Sequence, residues 1–179
     1  MKKYGIAARR KKKRYVYPGK TNSVVPNRLR DEQTPADAEI VFSDIFGVQL
    51  ADRTKVRGCF ALRKRTRHIL ALAFAYRMRA DLVVSTIEMI AFSVPGMIWH
   101  SDQGRKSGAE QTCNALLCKG FERSMSRAGT PTDNGYAERF GGQFKLSVAE
   151  RRASRTLGDL LRAAENWITF SNQLRTHEG

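Results

Sequence analysis

The chain has 179 residues, and its 32 Lys and Arg against 17 Asp and Glu leave a formal charge of +15. That length suits one domain plus an extension, and a hydrophobic share of 41% is enough for a core. So large a cationic excess excludes an indifferent surface and calls for an acidic partner, nucleic acid before an anionic membrane.

The longest apolar run, Ile69 to Tyr76, is far short of the roughly 20 residues a membrane helix needs. The basic N-terminus is not followed by the apolar stretch of a signal peptide. Cys59, Cys113 and Cys118 are odd in number and irregular in spacing, which is no disulfide framework. Cys113 and Cys118 with His100 lack the fourth partner of a zinc site. These features place the protein in a reducing cytoplasm with access to DNA.

Residues 1–36 hold eleven Lys and Arg and two acids, with Pro18, Pro26 and Pro35 and no apolar periodicity. They read as an arm or linker. The run Arg9, Arg10, Lys11, Lys12, Lys13, Arg14 favours a phosphate-binding arm over a solvated tail. Neutralising phosphates releases counterions, so its binding to DNA is expected to weaken steeply with salt.

From residue 37 onward the pattern is that of a folded core. Ile40, Val41, Phe42, Ile45, Phe46 and Val48 read as a buried strand, with Asp44 inside it. A charge there costs several kcal/mol unless it is paired or metal-bound. Residues 57–62 and 68–76 read as an antiparallel hairpin whose turn, Arg63-Lys64-Arg65-Thr66-Arg67, is cationic. A helix is expected over 81–92, a short strand at Met97-Ile98-Trp99, a helix over 108–120 and a strand over 121–125. Asp133 is a plausible N-cap for a helix running to about Arg152. Its apolar stripe would be Tyr136, Phe140, Phe144 and Val148. A last helix is expected over 156–174. This order defines an α/β or α+β domain with a mixed sheet.

Three acids stand out. Asp44 lies in the first strand, Asp102 just past a later strand and Glu138 one turn into a helix, where packing could bring them together. Lys145, seven residues beyond Glu138, lies about 20° from it on a helical wheel and so could lead a DNA phosphate toward the acids. Three oxygen ligands suit Mg²⁺, and paired ions serve phosphoryl transfer. Taken singly, each acid has an ordinary structural role open to it: a paired core charge, a turn residue, a solvated helix acid.

The words around these acids narrow the choice. "FSDI" at 42–45, "HSDQG" at 100–104, "SMSRAGTPTDNGYAERF" at 124–140 and "FKLSVAERR" at 144–152 resemble the DDE transposases of bacterial insertion sequences, relatives of retroviral integrases. The resemblance implies an RNase H-like integrase catalytic core, a mixed five-stranded sheet flanked by helices, over 37–179. It implies that Asp44, Asp102 and Glu138 are catalytic and hold two Mg²⁺ (or Mn²⁺) ions. Metal-activated hydroxyls would then attack phosphodiesters, first water and then a DNA 3′-OH. Lys145 and the arm residues Arg9 to Arg14 would bind DNA. The implied partners are element-end and target DNA and further copies of the chain, in a bacterial, nucleoid-associated setting, with no membrane and no small-molecule substrate. The resemblance also implies that the chain is short at its C-terminus and lacks an upstream helix-turn-helix region.

Departures from the family pattern are concrete: no tryptophan precedes Asp44, Ser107 stands near the place of an aromatic, Gly141-Gly142 interrupt the Glu138 helix, and Arg63 to Arg67 bring four cations to a mostly apolar hairpin. They open an alternative, a degenerate DNA-binding remnant without catalysis. A nuclease outside transposition would share fold and metals, but the Ser126-Arg127-x-Gly129-x-Pro131 loop favours the transposase.

Overall fold

The computed structural model describes residues 24–30, 34–92, 95–149 and 154–173. Five strands, β1 (Ile40–Gln49), β2 (Lys55–Arg63), β3 (Ile69–Ala75), β4 (Ile98–Ser101) and β5 (Glu122–Met125), form one sheet in the order β3-β2-β1-β4-β5. β1, β2 and β3 pair antiparallel, while β4 and β5 run parallel to β1. The expected hairpin is present, with its cationic turn between β2 and β3. Among the described residues no helix is long and apolar enough to cross a membrane.

Both faces of the sheet are covered, which explains why β1 is apolar almost throughout instead of alternating. Ile40, Phe42, Phe46 and Val48 point into one core with Phe60, Phe140, Phe144 and Leu160. Val41 points the other way, into a second core with Cys59, Leu82, Ile87, Trp99 and Leu116. The first core is packed beneath α3 (Gly135–Phe144) and α4 (Leu157–Gln173), the second beneath α1 (Ala80–Glu88) and α2 (Glu110–Cys118). In the first core Phe60 meets Phe140 at 4.0 Å between ring centroids, and Phe46 meets Phe144 at 5.2 Å. Gly58 makes that aromatic packing feasible: a Cβ there would lie 2.5 Å from the Phe46 ring and 2.9 Å from Phe74.

Local chemistry sets several boundaries. At α4, Thr156 Oγ1 accepts from the Asp159 N–H (3.1 Å) while Asp159 Oδ2 accepts from the Thr156 N–H (3.0 Å), a reciprocal capping box. The edge strand β3 is closed by Asn172 of α4, whose amide accepts from the Ile69 N–H (2.9 Å) and donates to its carbonyl (3.0 Å). On the opposite edge, the Met125 N–H donates to the Pro26 carbonyl, the Arg28 N–H to Ser124 Oγ, and Arg28 pairs with Glu122. Thus residues 24–30, within the stretch read as an arm, are folded against β5. Arg9 to Arg14 lie outside the described residues.

The α3 region departs from expectation. Asp133 does not cap the helix by its side chain. It belongs to a 3₁₀ turn, Pro131–Asn134, that leads into α3 at Gly135. Its carboxylate instead serves tertiary partners, described below. The expected single helix becomes α3 followed by a π-helical turn, Lys145–Ala149. The predicted stripe nevertheless holds: Phe140, Phe144 and Val148 are buried, and Tyr136 packs at the margin of the same core.

Candidate active site

Sheet register positions the first two acids. β1 and β4 pair as Ile40 with Ile98, Val41 with Trp99 and Phe42 with His100. Asp44 and Asp102 each lie two residues farther along, Asp44 still within β1 and Asp102 just past the end of β4. Glu138 comes from α3, which packs on β1. Tyr136, two residues before Glu138, stacks on Phe42, two residues before Asp44, with 5.0 Å between centroids. That ring pair fixes the helix along the strand.

The electrostatics of Asp44 register the convergence. Burial raises its carboxyl to about 7, and the charges of Asp102 and Glu138 push it the same way. The Ile45 N–H, which donates to Asp44 Oδ1 at 2.7 Å, and the Lys145 ammonium oppose the rise. The Asp44 carboxyl therefore senses the other three residues singled out in the core sequence, Asp102, Glu138 and Lys145. Glu138 and Asp102 are exposed, while Asp44 and Lys145 are partly buried.

Asp102 is held by its own loop. Its Oδ1 accepts from the Gly104 N–H and from Ser107 Oγ, both at 3.1 Å. A Cβ on Gly104 would stand 2.8 Å from that oxygen, so any side chain there would displace the Asp102 carboxylate from this position. Neither role was identified from sequence, although the Asp-x-Gly spacing of "SDQG" is a turn signal that fits the first.

His100 is fully buried below the loop and bonds Ser124 Oγ through Nδ1 (2.9 Å) and Ser126 Oγ through Nε2 (3.0 Å). Burial lowers its pKa to about 4, so it is a neutral structural residue tying β4 to β5. Asp133 was also missed as a site-bearing residue. Its side chain has no solvent access and receives Asn27 Nδ2 at 3.0 Å, Arg30 Nε at 3.0 Å and Arg127 Nε at 3.1 Å. Burial alone would raise this carboxyl, but the Arg127, Asn27 and charge contacts outweigh it and hold it well below the usual carboxylate range. Asp133 thereby pins residues 27–30 and the 127 loop to the entrance of α3.

Among the described residues, no three His, Cys, Asp or Glu side chains are grouped tightly enough to hold a metal ion. The three candidate acids nevertheless offer only oxygen donors, the kind a hard divalent cation takes, and the charges of Asp102 and Glu138 add to burial in raising the Asp44 carboxyl.

A family model described as "Integrase core domain" matches residues 119–179, which include Glu138 and Lys145. The transposase for insertion sequence element IS904 of Lactococcus lactis subsp. lactis (strain IL1403) is 31% identical over 86 residues, 48% of this chain and 34% of that protein. The chain thus spans about a third of the curated relative it matches. Among solved structures, the simian T-cell lymphotropic virus intasome in complex with PP2A regulatory subunit B56 gamma matches with a TM-score of 0.66 and 14% identity, covering 90% of this chain and 57% of that one. The HTLV-2 integrase catalytic core domain in complex with magnesium matches with a TM-score of 0.62 and 13% identity, covering 81% and 94%.

Sheet order, helix placement and these likenesses define an RNase H-like domain of the integrase catalytic-core type. The chain is thus similar to an integrase core domain over residues 119–179 and to an insertion-sequence transposase over an 86-residue stretch.

Proposed function

We propose that this chain performs the DNA cleavage and strand-transfer steps of transposition, with Asp44, Asp102 and Glu138 as its catalytic carboxylates. The observation that carries this reading is electrostatic and geometric together: on an integrase-type sheet, Asp44 lies within range of Asp102, Glu138 and Lys145. Asp44, on the central strand, would hold two Mg²⁺ or Mn²⁺ ions together with Asp102 and Glu138. When bound, such ions activate the attacking hydroxyl and stabilise the leaving oxygen of a phosphodiester.

The chain's own residues do the positioning. Gly104 and Ser107 hold one Asp102 oxygen in place. The Phe42–Tyr136 stack sets α3, and so Glu138, against β1. Lys145 offers a cation to a DNA phosphate beside the acids. The arm, residues 1–36, adds phosphate contacts through Arg9, Arg10, Lys11, Lys12, Lys13 and Arg14. Element-end and target DNA are the substrates, and joining two ends calls for more than one protomer. The setting is the bacterial cytoplasm, at the nucleoid.

The test is cleavage and joining of a labelled linear duplex by the full chain with Mg²⁺ or Mn²⁺, beside the Glu138→Gln variant. Metal-dependent products that vanish in the variant support the reading. Salt-sensitive DNA binding with no products under either metal would overturn it in favour of a non-catalytic DNA-binding remnant.

A further inference from the structure

The cationic β2–β3 turn has no part in the site so far described. Its four cations, Arg63, Lys64, Arg65 and Arg67, are held in a defined arrangement although like charges repel. The Arg63 N–H donates to the His68 carbonyl (2.9 Å) and the Lys64 N–H to the Ile40 carbonyl (2.8 Å), closing the turn against the start of β1. Glu39 accepts from Arg63 Nε (2.7 Å) and pairs with Arg65 (2.6 Å), so one carboxylate orients two guanidinium groups and offsets only part of the charge. Arg65 remains 70% exposed, and Lys64 is exposed.

Arg67 connects this turn to the acids. It adopts a left-handed backbone, φ 57°, rare for a long side chain. Its guanidinium lies 4.6 Å from the centroid of the Tyr136 ring, which in turn stacks on Phe42. Phe42 precedes Asp44 by two residues and Tyr136 precedes Glu138 by two. The turn is therefore fastened to both elements that carry those acids, on the α3 side of the sheet.

We propose that the turn from Arg63 to Arg67 is a phosphate-binding surface that holds the DNA backbone alongside the carboxylates, a contact separate from Lys145 and from the arm. It rests on the proposed function in taking DNA as the substrate. Four cations in one turn, Lys64 and Arg65 exposed among them, suit a polyanion better than any neutral partner, and each phosphate neutralised adds about one unit to the salt dependence.

The experiment is fluorescence anisotropy of a labelled duplex with the full chain in EDTA, at several salt concentrations. The double substitution Lys64→Ala/Arg65→Ala leaves Arg63 on Glu39 and Arg67 on Tyr136. It is expected to weaken binding roughly five- to tenfold and to flatten the log–log salt slope by about two. The charge-preserving pair Lys64→Arg/Arg65→Lys should restore both. Arg77→Ala/Arg79→Ala removes equal charge ahead of α1, whose core lies on the other face of the sheet, and should move the slope less than half as much. An unchanged slope in the turn variant, or an equal loss in the Arg77/Arg79 control, overturns this proposal and leaves the proposed function standing. Wild-type chain that shows no salt-dependent DNA binding overturns the proposed function itself.

Discussion

Asp44, in β1, and Asp102, just past the end of the neighbouring parallel strand β4, each lie two residues beyond the Phe42–His100 pair. Fifty-seven residues of chain separate them in sequence, yet the parallel pairing of β1 and β4 carries them to the same end of the sheet, where the Asp102 charge acts on Asp44. Glu138 joins them because the Phe42–Tyr136 stack fixes the phase of α3 over β1. If this arrangement serves catalysis, Glu138→Gln should reduce metal-dependent DNA cleavage by about a hundredfold or more, since metal ions supply several kcal/mol of charge stabilisation. Being exposed, the substitution should leave thermal stability within about 0.5 kcal/mol of wild type, which a melting experiment run in parallel will check.

Gly104→Ala offers a sharper probe of Asp102. The added Cβ would fall 2.8 Å from Asp102 Oδ1, so the carboxylate must turn away. Cleavage should drop at least tenfold while far-UV circular dichroism stays unchanged. Ser107→Ala removes one of the two donors to the same oxygen. Its cost in stability should be about 1 kcal/mol, and its loss of activity should be smaller than that of Gly104→Ala. The reverse order of severity would mean that Asp102 is positioned in some other way.

Two buried groups predict opposing pH dependences for the metal-free protein. Asp44 has its carboxyl raised to about 7, from an ordinary value of 3.8. Between those values the folded state holds more protons than the unfolded state, so Asp44 makes stability fall as pH rises, with loss complete above pH 7. His100 is lowered to about 4 from 6.5. There the unfolded state holds more protons, and stability falls as pH drops from 6.5 toward 4. The two trends largely cancel in the wild type. Asp44→Asn should remove the first, raise stability at pH 8 by a few kcal/mol at most, and expose the His100 slope. Chemical denaturation at pH 5, 6.5 and 8 reads the effect directly; an Asp44→Asn protein less stable than wild type at pH 8 would contradict it.

Asp133→Ala leaves Asn27, Arg30 and Arg127 without their shared acceptor. Part of that network is solvent-accessible on the arginine side, so the expected loss is about 2–3 kcal/mol, less than for a fully buried pair. Hydrogen exchange should rise first in residues 24–30 and in the 127–134 loop, with the central strands remaining protected. Uniform deprotection would mean that Asp133 supports the whole fold rather than this junction.

Phe60→Ala tests the core on which α3 rests. Phe60 is fully buried and touches Phe46 and Phe140. Truncation should cost about 3–5 kcal/mol, seen as a lower denaturation midpoint, and should loosen Glu138 through Phe140.

Much of this was readable in the linear chain. The five strands and the Glu138 helix follow from apolar runs and periodicity, because both are local consequences of backbone geometry and burial. The candidate acids were conspicuous for the same reason: Asp44 interrupts an apolar strand, and Asp102 and Glu138 sit in motif words. Spacing could not separate them from the other acids of the chain, however, since convergence depends on strand register and on the azimuth of α3. Asp133 shows the limit most clearly. Its position before a helix reads as an N-cap, but Arg30, Arg127 and Asn27 compete for the carboxylate and win, because a buried charge must be paired. Likewise, nothing local predicts that Arg67 will cover Tyr136, or that Ser107 will reach back to Asp102. The sequence by itself determined the elements, the charge balance and the chemistry available; only the tertiary structure decided which side chains meet, because those contacts join strands and loops whose relative placement is settled by packing across the whole sheet.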